Sequence, residues 1–288
     1  MSFRPLAALA CLAVAALPAA SASGADRANA RQPPIAMVDT VTIEPGSFRH
    51  PRPGEFLKDG HPAEAPQILA EVQRPLEIMK YQVSSSDYGR CVEARECAPA
   101  EAHTVVDRPV TGVSHIDAQA YAAWYSDMTG GRWRLPTDVE WAFAAGERFR
   151  GDIEAGEADP SNPAQRWLAL YRAESNLDRK PDPEARAPGS FGTNSKGLAD
   201  IAGNVWEWTS TCYANATLSS DGAGVDSVVE NCGVHVVEGF HRTYMSNFIR
   251  DGKSGGCAVG TPPDNLGFRL VREKPGLAEA IRRILGIS

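Results

Sequence analysis

Apolar and polar positions alternate along the chain in short runs, with only a few stretches at helical spacing. From Met37, the run V-D-T-V-T-I alternates β-branched with polar residues and ends at Pro45-Gly46, predicting a strand and a turn. Ile68 to Val72 and Leu76 to Val83 read as two further strands, while residues 50–66, rich in proline, read as loop. Ser84 followed by Asp87 is a capping pattern that opens a short helix through Tyr88, Cys91 and Val92. A longer helix starts after Ser114, with Asp117 in its first turn. Ile116, Ala120, Ala123 and Trp124 fall at helical spacing, and Gly130-Gly131 stops the run. Thr137 and Glu140 form a second capping pair, ahead of an apolar body of Val139, Trp141, Ala142 and Phe143. Residues 147–196 read as mostly irregular. V-H-V-V-E-G-F (234–240) and N-L-G-F-R-L-V-R (265–272) read as strands, and 274–288 as an amphipathic C-terminal helix with Leu277, Ile281, Ile284 and Leu285 on one face.

One stretch stands apart chemically. Trp206-Glu207-Trp208 follows a Gly-Asn turn, and strand alternation sends the two indoles to one face and the carboxylate to the other. A carboxylate between two large apolar rings is costly unless something pairs with it. A cation, a metal or a set of N–H donors must therefore lie nearby. Two readings stand: a buried strand whose Glu207 caps a neighbouring element, or a metal-binding turn.

The chain has 288 residues and is 43% hydrophobic, enough for one large or two small domains. Residues 1–22 read as a secretory signal, with Arg4, an Ala/Leu-rich run and Ala20-Ser21-Ala22 as a cleavage site, and 23–36 as a polar linker. No stretch reaches the length of a membrane span, so the expected product is exported, periplasmic and soluble. Cleavage removes one basic and no acidic residue, leaving the mature chain one unit more acidic than the formal −7. That argues against nucleic acid as a partner. In an oxidising compartment cysteines pair by default. Cys91 and Cys97 can close a small loop, and Cys212 and Cys232 can pin the base of a Gly/Ser/Asp-rich excursion. Cys257 is then left over, as a buried free thiol, a member of another pairing scheme or a reactive thiol. No G-x-G-x-x-G follows a strand, so no flavin or nicotinamide cofactor is expected.

Four segments, Y-Q-V-S-S-S-D-Y, G-G-R-W-R-L-P-T-D-V-E-W-A-F-A-A-G, G-L-A-D-I-A-G-N-V-W-E-W-T-S and N-L-G-F-R-L, resemble in order and spacing the formylglycine-generating-enzyme/sulfatase-modifying-factor family, over roughly 37–272. The resemblance implies a C-type-lectin-like α+β fold, poor in regular secondary structure, occupying 37–273. It also implies structural calcium, bound at the G-N-V-W-E-W turn by Asp200, Gly203, Val205 and Glu207. A second site would begin at Asn176 and Leu177, with Asp182 as a further ligand.

The catalytic part departs from the family. Its oxidases hold copper with two cysteines, but here Ser246 falls near the first position and Asp251 or Gly252 near the second, so no copper is expected. An exported member without that pair is similar to the family's pyoverdine-maturation branch. This implies a periplasmic maturation factor in siderophore biosynthesis that oxidises the dihydropyoverdine chromophore of a siderophore precursor peptide, with oxygen or a partner as acceptor. The candidate catalytic residues are His241, Ser246, Arg250 and Asp251, His241 being the candidate base. Arg242, Arg250 and Lys253 would hold acidic or catecholate groups, and Trp206 would stack on the flat chromophore. Each also has an ordinary reading: His241 as a hydrogen-bonded histidine, Arg250–Asp251 as a surface pair. Asp264 and Arg269 read as core supports. The alternative function is a non-catalytic, lectin-like binding or accessory protein serving a separate oxidase.

Overall fold

A computed structural model describes residues 37–100, 106–151, 162–176, 184–222, 224–240, 242–246 and 266–273, all within one compact unit, Ile35–Ser288. The expected signal, linker and C-terminal helix lie outside these residues, as do the Cys257 thiol and Asp264. Twelve strands and four helices alternate along the described chain, in short elements joined by long connections.

The first sheet has the order β1-β6-β12-β7, formed by Thr40–Ile43, Leu76–Met79, Val271–Glu273 and Arg132–Arg134. It brings the two ends of the domain together, since Ile78 of β6 pairs with both Val41 and Val271. The second sheet runs β10-β9-β8-β3-β4, with β11 (Leu266–Gly267) pairing parallel to β8. Its centre is a long hairpin of β8 (Trp206–Leu218) and β9 (Val225–Glu238), flanked by β10 (Thr243–Ser246) on one side and β3 (Glu55–Lys58) and β4 (His61–Ala63) on the other. Strands β2 (Gly46–Pro51) and β5 (Gln67–Val72) form a separate ribbon.

The three predicted helices that fall within the described residues form where their caps place them. Ser84 caps α1 (Ser85–Glu93) by accepting from the Asp87 N–H. Ser114 and Asp117 make a reciprocal capping box for α2 (His115–Thr129), which Gly130 ends in a left-handed conformation. Thr137 and Glu140 do the same for α3 (Asp138–Ala145). Both cysteine pairs are bridged, Cys91–Cys97 beneath α1 and Cys212–Cys232 across the β8–β9 hairpin.

Three expectations are corrected. Residues 50–66 carry β3 and β4, because the prolines fall at ends and edges where no ladder N–H is needed. Residues 147–196 contain a helix, α4 (Pro163–Asn176), opened by Asn162 accepting from the Ala164 and Gln165 N–H groups. The Gly/Ser/Asp-rich excursion between Cys212 and Cys232 is two long strands, with Val228 and Val229 both exposed near the tip. Only Ala216 and Leu218 on β8 are buried there, against Phe56 of β3, too short an apolar alternation to mark the hairpin.

Two cores meet at the Trp206–Trp208 strand. One collects Tyr88, Tyr121, Tyr125, Trp133, Trp206, Trp208 and Phe268; the other collects Ile43, Ile78, Trp141, Leu198, Ile201 and Val271. Backbone approach at the first core is so close that a Cβ on Gly239 would sit 2.8 Å from the Trp206 ring.

Candidate functional site

Trp206 and Trp208 share one face of β8, as alternation requires, and both are buried. The Trp208 indole N–H donates to the Val113 carbonyl (2.9 Å), and Trp206 stands edge-on to Phe240. Trp206 is thus part of the packed core, with only 8% of its surface exposed. That leaves little of the ring to stack on a flat ligand.

Glu207 points the other way and is wholly buried. Its partner is Arg269, also wholly buried, which grips it in a fork: Nε to Oε2 at 2.6 Å and Nη2 to Oε1 at 2.8 Å. The Trp141 indole N–H donates to Oε2 (2.9 Å) and the Gln82 amide to Oε1 (2.9 Å). Each oxygen therefore accepts two donors. The remaining N–H groups of Arg269 go to the carbonyls of Met79, Lys80 and Ala199. Arg269 supports the core, as the sequence indicates.

This occupancy bears on Glu207 as an expected calcium ligand. A carboxylate whose two oxygens already hold four N–H donors does not present lone pairs to a cation. Asp200, also wholly buried, accepts from the main-chain N–H groups of Gly189 and Phe191, and its carbonyl accepts from Gln82 and Gly203. The turn between them is held by protein donors: Asp200, Ala202 and Asn204 all take left-handed backbone angles, and the Asn204 amide bonds Arg186 in both directions. Gly203 and Val205 lie within it. The two carboxylates of this turn are thus already engaged by protein N–H groups. Of the second expected site, Asn176 is the exposed last residue of α4, and Leu177 and Asp182 lie outside the described residues.

Of the predicted reaction site, His241, Arg250, Asp251 and Lys253 lie outside the described residues, and Ser246 ends β10. Arg242 is corrected from a substrate anchor to a buried structural cation. Only 2% of it is exposed; Nη1 is 3.2 Å from Asp138 Oδ2 and donates to the Pro51 carbonyl at 2.8 Å.

Sequence reasoning missed what surrounds it. His50 on β2, Asp138 at the start of α3 and Glu238 at the end of β9 are all wholly buried. His50 Nε2 lies 2.6 Å from Asp138 Oδ2. Burial pushes the Asp138 carboxyl up, but the adjoining Glu238 carboxyl, the hydrogen bond to His50 and the charge of Arg242 outweigh it and hold it down at about 2. The signal available was Asp138 inside the family-like L-P-T-D-V-E-W; His50 and Glu238 sit in segments that read as loop and plain strand.

A second buried pair joins α2 to β9. His115 and His235 stack with ring centroids 3.5 Å apart and planes 13° from parallel. Desolvation, then the neighbouring His235, lowers the His115 pKa to about 4, against the opposing hydrogen bond to the Thr209 carbonyl. Desolvation also lowers His235.

A pocket of about 220 Å³ opens between β1 and the start of α1, lined by Asp39, Tyr81, Gln82, Ser84, Asp87 and Tyr121 among others. It contains none of the predicted site residues, but Gln82 connects its wall to Glu207. No helix among the described residues is long and apolar enough to cross a membrane. The two disulfides fit an oxidising compartment.

The sulfatase-modifying factor enzyme 1-like domain matches residues 26–274. Among curated relatives, the formylglycine-generating enzyme of Streptomyces coelicolor is 31% identical over 182 residues, 58% of this chain and 53% of that protein. The inactive C-alpha-formylglycine-generating enzyme 2 of Bos taurus is 35% identical over 113 residues, 38% of this chain and 34% of its own length. The hercynine oxygenase of Mycolicibacterium smegmatis is 36% identical over 111 residues, 36% of this chain and 22% of that protein. The chain thus spans between about a fifth and about a half of these relatives. Among solved structures, PvdO from Pseudomonas aeruginosa is 22% identical, with a TM-score of 0.51 over 82% of this chain and 95% of that one. Mixed sheets, few helices and the matched domain agree with a C-type-lectin-like α+β architecture, and the chain belongs to the sulfatase-modifying factor enzyme 1-like family.

Proposed function

We propose that this protein is an exported, periplasmic maturation factor in pyoverdine-type siderophore biosynthesis, oxidising the dihydro chromophore of a precursor peptide. The observation that carries the reading is a structural likeness that spans 95% of PvdO, in a chain with Ser246 and Asp251–Gly252 where the family's copper oxidases need cysteines. The reaction removes two electrons and two protons from the ring; with dioxygen as acceptor, the products are the aromatic chromophore and hydrogen peroxide. His241, Ser246, Arg250 and Asp251 are the proposed reactive set, with Lys253 binding acidic groups of the substrate. Deleting the gene and recording the chromophore absorbance of the secreted siderophore tests this. Loss of the mature band is expected, and an unchanged band overturns the reading.

The second reading is a non-catalytic binding or accessory protein for a separate oxidase. The missing cysteine pair and the small acidic pocket at Asp39 and Asp87 favour it. Purified protein that converts precursor with dioxygen alone excludes it.

A further inference from the structure

The pocket beside β1 takes no part in the chemistry described so far. Its volume is about 220 Å³, and Asp39, Tyr81, Gln82, Ser84, Asp87 and Tyr121 supply its polar groups, with Met79 and Val83 on its apolar side. Main-chain bonds fix its walls. The Lys80 N–H donates to the Asp39 carbonyl (2.9 Å), the Val83 N–H to the Phe268 carbonyl (2.9 Å) and the Val38 N–H to the Tyr125 hydroxyl (3.1 Å). The Ser84 cap of α1 holds Asp87 in place. The cavity is therefore preformed, as ligand sites usually are.

Two buried groups on its wall keep acceptor capacity that the protein does not use. Gln82 is only 5% exposed. Its amide nitrogen donates to the Asp200 carbonyl and to Glu207 Oε1, but its own Oε1 accepts from no donor among the described residues. Tyr121 is 1% exposed, and its hydroxyl has no hydrogen-bond partner among the described residues. Burial, then the charge of Asp87, pushes that hydroxyl well above its ordinary range, so it stays neutral and keeps its lone pairs. A buried acceptor without a donor is costly.

Two carboxylates join them. Asp39 stands on the exposed side and enters no ion pair among the described residues. Asp87 accepts from the Ser84 hydroxyl on Oδ2 at 2.6 Å and has a loose contact on Oδ1, 3.7 Å from the half-exposed Arg90. Lys80, the other neighbouring cation, is turned over the Tyr81 ring, 5.3 Å from its centroid. No lysine, arginine or histidine lines the pocket. The wall thus asks for a cation that only donates. A primary ammonium suits separate acceptors, because its three N–H donors rotate to meet them while its alkyl stem packs on apolar side chains. A guanidinium wants a free carboxylate fork, and Asp87 has both oxygens engaged. A calcium ion wants about six or more oxygens, which two carboxylates among aromatic and apolar groups do not supply.

We propose that this pocket binds a primary alkylammonium group, carried by a lysine-like side chain of a peptide or by a free polyamine. None of its residues belongs to the proposed reactive set, so the site does not depend on the oxidative reading. It gives the accessory reading a class of ligand, and its tests read binding alone, so they decide the site whichever functional reading fails.

Calorimetric titration of the full chain with n-butylammonium is the first test. Saturable binding that weakens with added salt is expected, and none for the neutral analogue n-butanol. Asp39→Asn should weaken binding about tenfold. Tyr121→Phe keeps the ring and should weaken binding severalfold without lowering the thermal melt, since the hydroxyl holds nothing in the fold. No saturable binding, equal binding of n-butanol, or undiminished affinity in both variants overturns the proposal. So does calcium that displaces the amine at equal concentration, or n-butylguanidinium that binds more tightly than n-butylammonium. Lysine capped at both ends and cadaverine then distinguish the sources. Tighter binding of the capped lysine upholds the site as a peptide subsite, tighter binding of cadaverine upholds it as a polyamine site, and binding of neither overturns it.

Discussion

Glu207 and Glu238 are directly paired across the β8–β9 ladder, and both are without solvent exposure. Glu207 is held by the Arg269 fork, Trp141 and Gln82; Glu238 lies beside Asp138 and influences its charge, and Asp138 holds Arg242 and His50. The Glu207 network ties β8 to β6, α3 and the C-terminal segment, while Asp138 joins α3 to β2 through His50. The energetics of the Glu207 network can be tested one residue at a time.

Arg269→Met should be the most damaging single change in the domain. It leaves Glu207 buried with two N–H donors and no counter-charge, and breaking a buried pair in this way costs about 3–5 kcal/mol. Trp141→Phe removes one charge-assisted hydrogen bond and should cost about 1.5–3 kcal/mol. Replacing Glu207 and Arg269 together by methionine should restore part of the loss, because no buried charge is then stranded. Urea denaturation of the four proteins reads these differences directly. An Arg269→Met protein as stable as the parent would show that the pair is not a structural anchor.

The turn at Asp200–Glu207 should hold without calcium. Every carboxylate oxygen of Glu207 and both carboxylate oxygens of Asp200 already accept N–H groups of the protein. Thermal melts with excess calcium and with excess chelator should therefore agree for the wild type. A stabilisation by calcium that Glu207→Gln abolishes would reinstate the ligand set expected from the family resemblance.

Ala202 offers a gain of stability. It is held at φ 55°, between Asp200 (φ 57°) and Asn204 (φ 58°). A left-handed angle strains an alanine, whereas Asp and Asn tolerate it through local hydrogen bonds. Ala202→Gly should stabilise by about 0.5–1 kcal/mol, after the extra freedom of glycine in the unfolded chain is subtracted. Asp200→Gly and Asn204→Gly should do the opposite, because their side chains hold Gly189, Phe191 and Arg186. Thermal melts of the three variants separate the two effects.

The elements that the sequence revealed are those with local causes. Ser114, Asp117 and Gly130 bound α2 by contacts within a few residues of chain, and Thr137 with Glu140 does the same for α3. The need of Glu207 for a partner was legible in the two tryptophans beside it; the partner's identity was not, because Arg269 lies 62 residues away. His50 and Asp138 are 88 residues apart, and Glu238 sits in an ordinary β-branched run, so nothing local marks the buried cluster. The β8–β9 hairpin escaped notice for a related reason. Its outer half is held by the ladder, the Cys212–Cys232 bridge and a small apolar cluster of Ala216 and Leu218 with Phe56, whose partner lies far off in sequence, while β9 there is largely exposed.

The stacked pair of His115 and His235 sets a pH limit on the fold. Burial and the neighbouring ring bring His115 down from 6.5 to about 4 in the folded protein, and His235 is lowered by its own desolvation. Between these limits the unfolded chain binds more protons than the folded one, so stability rises with pH. It is therefore fully present above about pH 6.5 and is lost progressively as pH falls toward about 4, where the loss from His115 alone levels off at about 3 kcal/mol. Asp138 acts in the same direction at lower pH, where its depressed pKa of about 2 makes protonation of the unfolded chain the more favourable event. His115→Phe keeps the ring and its stacking while removing the titration. The variant should lose the hydrogen bond to Thr209 but show a flatter stability curve between pH 6.5 and 4. Chemical denaturation across that range measures both curves. Parallel slopes for variant and wild type would show that the pair does not govern acid stability.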